Sequence, residues 1–232
     1  MENPRRRIVF VSRLPQAPFT GAAIRAVRFI TGLARHHDVH AIFMTRERDA
    51  APPDLGCSRQ VVQTALLDRT PGAGRPPWRR LGEVLDWRVC EIAPFSSASL
   101  RRVCDAVAAS RPDVVQVESS SLAPFVLEIR RRLPRVPLLL DCFDMEWLLR
   151  LQAARWAPGL PATVAQLVQA AKVARWEAWA FRAATVTFMA SERERRIARL
   201  MSPSSRFVPL PNGADFSAPP LNGPERPGRI RP

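Results

Sequence analysis

The sequence predicts an α/β protein: a single Rossmann-like domain with a mostly parallel sheet of about seven strands and helices on both faces. Two observations predict it. Short apolar runs of the buried-strand kind alternate along the chain with segments of helical periodicity. That alternation selects a parallel sheet, with each strand-helix-strand crossover right-handed. The hydrophobic fraction, 47% of 232 residues, suits one sizeable core that folds without disulfides or a structural metal. The four cysteines, Cys57, Cys90, Cys104 and Cys142, form no Cys-x-x-Cys pair and read as reduced, buried thiols.

The elements follow in order. Ile8, Val9, Phe10 and Val11 make a first buried strand, and residues 21–35 a helix that mixes apolar and charged positions. Strands are expected at 39–44 and, more weakly, at 61–66. A Pro/Gly/Arg loop covers 68–77, and helical pattern returns at 79–90 and 99–109. A strand at 114–117, a helix at 122–132 ended by Pro134, and a strand at 136–140 come next. A long helical region is broken near 158–161 and resumes from 163 to 183. A strand at 185–189 leads to a short helix whose Ser191 and Glu194 have capping-box spacing. The last strand is 207–210, running into a Pro-Asn-Gly turn, and from Ser217 a Pro/Gly/Arg tail begins.

The chain carries 35 Lys and Arg against 21 Asp and Glu, a formal charge of +14. That excess predicts attraction to polyanions: nucleic acid, anionic lipid headgroups or a nucleotide diphosphate. No helix-turn-helix, zinc finger or aromatic RNA-binding motif is present, so specific nucleic-acid binding is not expected. The first apolar run is too short for a signal peptide core, and no run of eighteen apolar residues occurs, which reads as a cytoplasmic protein.

Ligands bind parallel sheets beyond the carboxyl ends of their strands, near the switch point. After the first strand come Thr20 and Gly21 at a helix start. Thr20 capping the helix and Gly21 making a turn is one reading; exposed N–H groups that take a phosphate is the other. Gly-x-Gly-x-x-Gly and Gly-Lys-Ser/Thr are both absent, which argues against NAD, FAD and P-loop chemistry. Glu118 ends a strand. It reads as a hydrogen-bond acceptor facing the crevice, as a solvated charge, or as a cap partner. Ser119, Ser120 and Ser121 read as caps for the next helix. Asp141, Asp144 and Glu146 put three carboxylates within six residues, which raises at least one pKa if they share a dry pocket. His36, His37 and His40 lie far from them in sequence, so no metal is expected. Trp176 and Trp179 share a helix face and read as core, and Glu177 reads as an ion-pair partner for a neighbouring Arg or as a cleft residue.

Six segments, in this order, carry a resemblance to the family-4 glycosyltransferases. Pro18, Gly21 and Arg25 resemble the family's Pro-x-x-Gly-x-x-x-Arg opening. Residues 111–118 resemble its Pro-Asp-Val-Val-His strand. Residues 141–146 resemble its Asp-x-His-Asp segment, with Phe143 where many members have a histidine. Residues 172–182 resemble its Lys-x(4)-Glu-x(4)-Arg helix, 191–195 its Ser-Glu-x-Asp/Glu-Arg helix, and 206–216 its Val-Pro-Asn-Gly-Val-Asp segment.

The resemblance implies the N-terminal, acceptor-side half of a two-lobed (GT-B) enzyme. Residues 1–216 would form that domain and 217–232 a tail or severed interdomain linker. It implies a retaining, metal-independent transfer from a nucleotide-diphosphate sugar, which is a donor substrate and not a cofactor. Gly21 and Arg25 would lie near the donor diphosphate, and Glu118 and Asp144 would do catalytic work at the acceptor. Partners implied are a sugar or lipid-linked acceptor, a separate C-terminal donor domain, and an anionic membrane at its inner face. The runs Arg130–Arg131–Arg132 and Arg195–Arg196–Arg199, and an amphipathic element of Trp147, Leu148, Leu149, Leu151 and Trp156 near Arg150 and Arg155, are the expected membrane contacts; the arginine runs also read as solvated helix faces. The alternative is a non-catalytic binding module or a truncated remnant without independent activity.

Overall fold

A computed structural model describes residues 4–15, 20–47, 51–64 and 95–212. The loop expected at 68–77, the helix at 79–90, Pro18, Cys90, Gly213 and the tail from Ser217 lie outside the described residues.

Among the described residues seven strands form one parallel sheet: β1 (Arg7–Arg13), β2 (Asp38–Thr45), β3 (Ser58–Gln63), β4 (Val114–Glu118), β5 (Leu138–Cys142), β6 (Val186–Met189) and β7 (Phe207–Pro209). Their spatial order is β3-β2-β1-β4-β5-β6-β7. Helices α1 (Gly21–Ala34), α2 (Ser97–Ala109), α3 (Ala123–Arg132), α4 (Glu146–Arg155), α5 (Gly159–Ala183) and α6 (Glu192–Met201) connect or flank them. This is the Rossmann-like α/β fold that the alternation predicts.

Strand alternation decides which side chains meet which helix. In β1, Ile8 and Phe10 join Val39, Ala41 and Phe43 of β2 beneath α1, which contributes Ala26 and Ile30. Val9 and Val11 point to the opposite face. There they meet Val115, Val117, Leu138 and Leu140, with Val103 and Val107 of α2, Phe125 and Ile129 of α3, and Val173 and Phe181 of α5. Trp176, half-buried, packs against this cluster and meets Trp179 edge-to-face at 5.4 Å, while Trp179 is half-buried and outside the cluster, so only the first does the core packing expected of the pair.

Three elements differ from expectation. β3 starts and ends three residues earlier than the apolar pattern suggests. It is an edge strand whose polar Ser58, Arg59 and Gln60 are exposed while their backbone pairs with β2, so burial did not write the usual pattern. β5 begins after Pro137 and runs on through Asp141, because the ladder to β4 and β6 continues past the last leucine. Helix α5 begins at Gly159, not at 163. Gly159 turns the chain at φ +80, and Pro161 sits in the first turn, where a missing N–H leaves no bond unmade.

Ser191 caps α6 as its spacing predicts: the hydroxyl accepts from the Glu194 N–H at 3.2 Å and meets the Glu194 carboxylate at 3.0 Å. Among the described residues no helix is long and apolar enough to cross a membrane.

Candidate functional site

The sheet order reverses between β1 and β4, which makes the crevice beyond their carboxyl ends the expected ligand position. Ser12 of β1 and Glu118 of β4 meet there in a buried hydrogen bond, with the Ser12 hydroxyl also 2.8 Å from the Arg13 carbonyl. Glu118 is 6% exposed, and its Oε1 has no hydrogen-bond partner among the described residues. Burial pushes its pKa up to about 7; the Ser12 hydrogen bond opposes that, Asp141 adds to it, and Arg13 and Arg25 oppose it. The carboxyl group therefore changes protonation near neutral pH.

Glu118 lines a cavity of about 280 Å³ with Arg13, Thr20, Ser119, Ser121 and Phe143. Ser119 has φ +75, a conformation that costs a non-glycine residue energy. Its N–H is held by the Asp141 carbonyl at 2.8 Å, and its hydroxyl accepts from the Ser121 N–H at 3.1 Å. Contrary to expectation the serines do not cap α3, whose N-cap Leu122 makes no side-chain bond; Ser119 caps the short 3-10 turn Ser120–Leu122 instead and fixes a strained turn directly beyond Glu118.

The three carboxylates of 141–146 do not share a pocket. Asp141 is fully buried and holds Arg25 in a two-pronged pair, Nε to Oδ2 and Nη2 to Oδ1, each 2.8 Å. Asp144 is exposed at the rim, its carboxyl pushed up by partial burial alone. Glu146 opens α4. Asp144 lines a second cavity of about 450 Å³, and Phe143 lines both cavities, standing where they adjoin.

Gly21 and Arg25 line a third cavity of about 420 Å³, together with Asn212, which also lines the Asp144 cavity. Thr20 caps α1 by accepting from the Ala23 N–H at 3.3 Å. A Cβ placed on Gly21 would meet nothing within 4 Å, so packing does not demand glycine there. The Arg25 guanidinium also donates to Asn212 Oδ1 at 2.6 Å and to the Leu210 carbonyl at 3.0 Å. It ties α1, β5 and the segment after β7 into one rim. Gly21, Arg25, Glu118 and Asp144 therefore lie along the same edge of the sheet.

Glu177 is the residue that sequence reasoning misjudged. It is fully buried, and its carboxylate caps α4. Oε1 accepts from the Ser120 hydroxyl at 2.6 Å and the Glu146 N–H at 2.9 Å, and Oε2 accepts from the Trp147 N–H at 3.4 Å. Burial pushes its pKa up to about 7, and the three donors oppose that. The only local signal was the bare start of α4, where Met145 offers no side-chain cap. Among the described residues no three of His, Cys, Asp or Glu gather as a metal-binding group.

Residues 20–213 match the Glycosyl transferase 4-like domain, and the chain belongs to that family. No curated protein matches the chain. Solved structures with the same fold include UGT2 of Phytolacca americana, complexed with UDP-2fluoro-glucose and pterostilbene, at TM-score 0.51 and 14% identity, covering 88% of this chain and 54% of that one. They include UGT89C1 of Arabidopsis thaliana, complexed with UDP-L-rhamnose, at TM-score 0.50 and 12% identity, covering 94% and 53%. A sucrose-phosphate synthase from Thermosynechococcus elongatus matches at TM-score 0.50 and 11% identity, covering 91% and 92%. The chain spans about half the length of the two UGT structures. At these identities the likeness is one of fold, that of a lobe in GT-B glycosyltransferases.

Proposed function

We propose that this chain is the acceptor-binding lobe of a retaining glycosyltransferase that uses a nucleotide-diphosphate sugar. The observation that carries the proposal is Glu118: a buried carboxyl with one unpartnered oxygen, lining a cavity beside hydroxyl groups and an aromatic ring at the sheet's switch point. An orphaned buried oxygen costs free energy unless a ligand pairs with it. A sugar hydroxyl is the right partner, and the Phe143 ring offers an apolar wall for a pyranose face. Asp144 serves the neighbouring cavity as a second hydroxyl acceptor. The donor diphosphate lies near Gly21 at the start of α1, where the helix dipole favours negative charge. Arg25 serves that end by holding the rim together, since its guanidinium is already engaged by Asp141, Asn212 and Leu210. Residues 1–216 act as the domain, with a second lobe completing the cleft.

Transfer from labelled nucleotide sugars, assayed with and without a supplied second lobe, tests the proposal. Turnover that Glu118→Gln abolishes supports it, and no turnover in either case rejects it. The second reading, a non-catalytic binding module, is favoured by Phe143 alone, because a phenyl ring moves no proton. Acceptor-sugar binding without any transfer would establish that reading.

A further inference from the structure

Several residues read from sequence as surface contacts are engaged within the chain. Trp147 and Leu148 pack against the core, Arg131 and Arg132 hold Glu128, and Arg195 and Arg196 hold Glu192. The exposed apolar surface lies instead along the first half of α5. Leu160 is 76% exposed, and Val164, Leu167 and Ala171 are exposed with it. These residues follow one another at spacings of four, three and four. That alternation is the seam of a helix that pairs with another helix.

Two features of the stripe select its occupant. The first is charge. No Asp, Glu, Lys or Arg occurs between Arg155 and Lys172, the longest such run in a chain of charge +14. Two copies of so basic a chain repel each other. A twofold axis also sets like residues near like, so a charged stripe would add direct repulsion. A stripe without charge is where two copies approach without that cost.

The second is shape. Turn a second copy of α5 end for end about a twofold axis between Val164 and Leu167. Leu160 then faces Ala171 at both ends, and Val164 faces Leu167 in the middle. The long side chain meets the short one at each end, so the stripe is complementary to itself. A featureless apolar surface makes no use of that pairing. Trp156, 86% exposed just before α5, and exposed Arg175, one turn beyond Ala171, come to the same ends, where indole and guanidinium attract.

We infer that α5 is a self-association surface: two copies of this chain pair antiparallel through Leu160, Val164, Leu167 and Ala171, with Trp156 of one copy beside Arg175 of the other. The seam is about 17 Å long at about 1.5 Å per residue. That is short for a permanent interface, so the dimer is a weak, exchanging one. The inference rests on this surface alone and its test needs no transfer activity, so it stands or falls apart from the transfer reading.

The experiment is sedimentation velocity of the chain over a range of micromolar concentrations, at low and high salt. A monomer–dimer equilibrium is expected, and it tightens as salt screens the like charges. Ala171→Leu adds apolar surface yet weakens the dimer about tenfold or more, because Leu160 of the facing copy has no room. Leu160→Ala weakens it by removing the contact. The two substitutions joined in one chain restore native-like association, since the swap re-forms the same pair. Both side chains are exposed, so the unfolding midpoint holds in all three variants. A monomer at every concentration, a dimer that Ala171→Leu leaves intact or tightens, or a double variant as weak as the single ones overturns the inference. So does stripe-dependent capture on lipid vesicles by a chain that stays monomeric in solution.

Discussion

Glu118 and Glu177 are two buried glutamates whose carboxyl groups burial pushes to about 7, yet their surroundings differ. Glu177 sits between α4 and α5 with three donors on its two oxygens. Glu118 sits at the switch point with one oxygen held by Ser12 and the other unpartnered. Burial and pKa alone do not distinguish a structural carboxylate from a binding one. The count of satisfied lone pairs does, and it supports reading Glu177 as a cap and Glu118 as the proposed acceptor contact.

The sharpest contrast comes from removing partners. Arg25→Ala leaves Asp141 buried without its cation and costs about 3–5 kcal/mol of unfolding free energy, read from urea denaturation. Glu177→Ala orphans a hydroxyl and the first N–H groups of α4 and costs about 2–3 kcal/mol. Glu118→Gln, by contrast, is expected to cost no stability at neutral pH and to add up to about 1–3 kcal/mol there, because it removes a charge that the site already disfavours. Equal losses for Glu118→Gln and Glu177→Ala would erase the distinction.

A pH series sharpens it further. Both carboxyls have folded pKa values raised above the ordinary 4.5, so their protons stay bound in the folded state after the unfolded chain has released its own. Their contribution is fully present below about 4.5 and is lost as pH rises through about 7, on the order of 1–3 kcal/mol each. Glu118→Gln should flatten the stability slope in that window. A slope of opposite sign there would contradict the assignment. The smallest effect is at Gly21. Gly21→Ala meets no neighbour, so stability should hold or rise by about 0.5–1 kcal/mol. Weakened nucleotide-sugar binding in that variant would mark close ligand approach at the α1 start.

Strand β1, the Ser191 cap and the parallel α/β sheet were legible in the sequence because each rests on local pattern: alternation, spacing, or apolar runs. β3 was displaced because an edge strand need not bury the residues that pair it. Glu118 was legible by position, at a strand's carboxyl end. Its distinguishing feature, the unpartnered oxygen, depends on Ser12, which lies 106 positions away. Asp141 and Arg25, and Glu177 and Ser120, are joined across 116 and 57 positions, and local reading has no access to such pairs. Phe143 was legible as a departure from the family pattern, while its place at the meeting of two cavities was not.

The central claim is that Glu118 binds the acceptor in a sugar-transfer cleft. The most direct measurement is the transfer rate from labelled nucleotide sugar, with the second lobe supplied, for Glu118→Gln and native chains of matched stability. A loss of about 100-fold or more with no fall in the unfolding midpoint is predicted. Native-like transfer by Glu118→Gln would contradict the account.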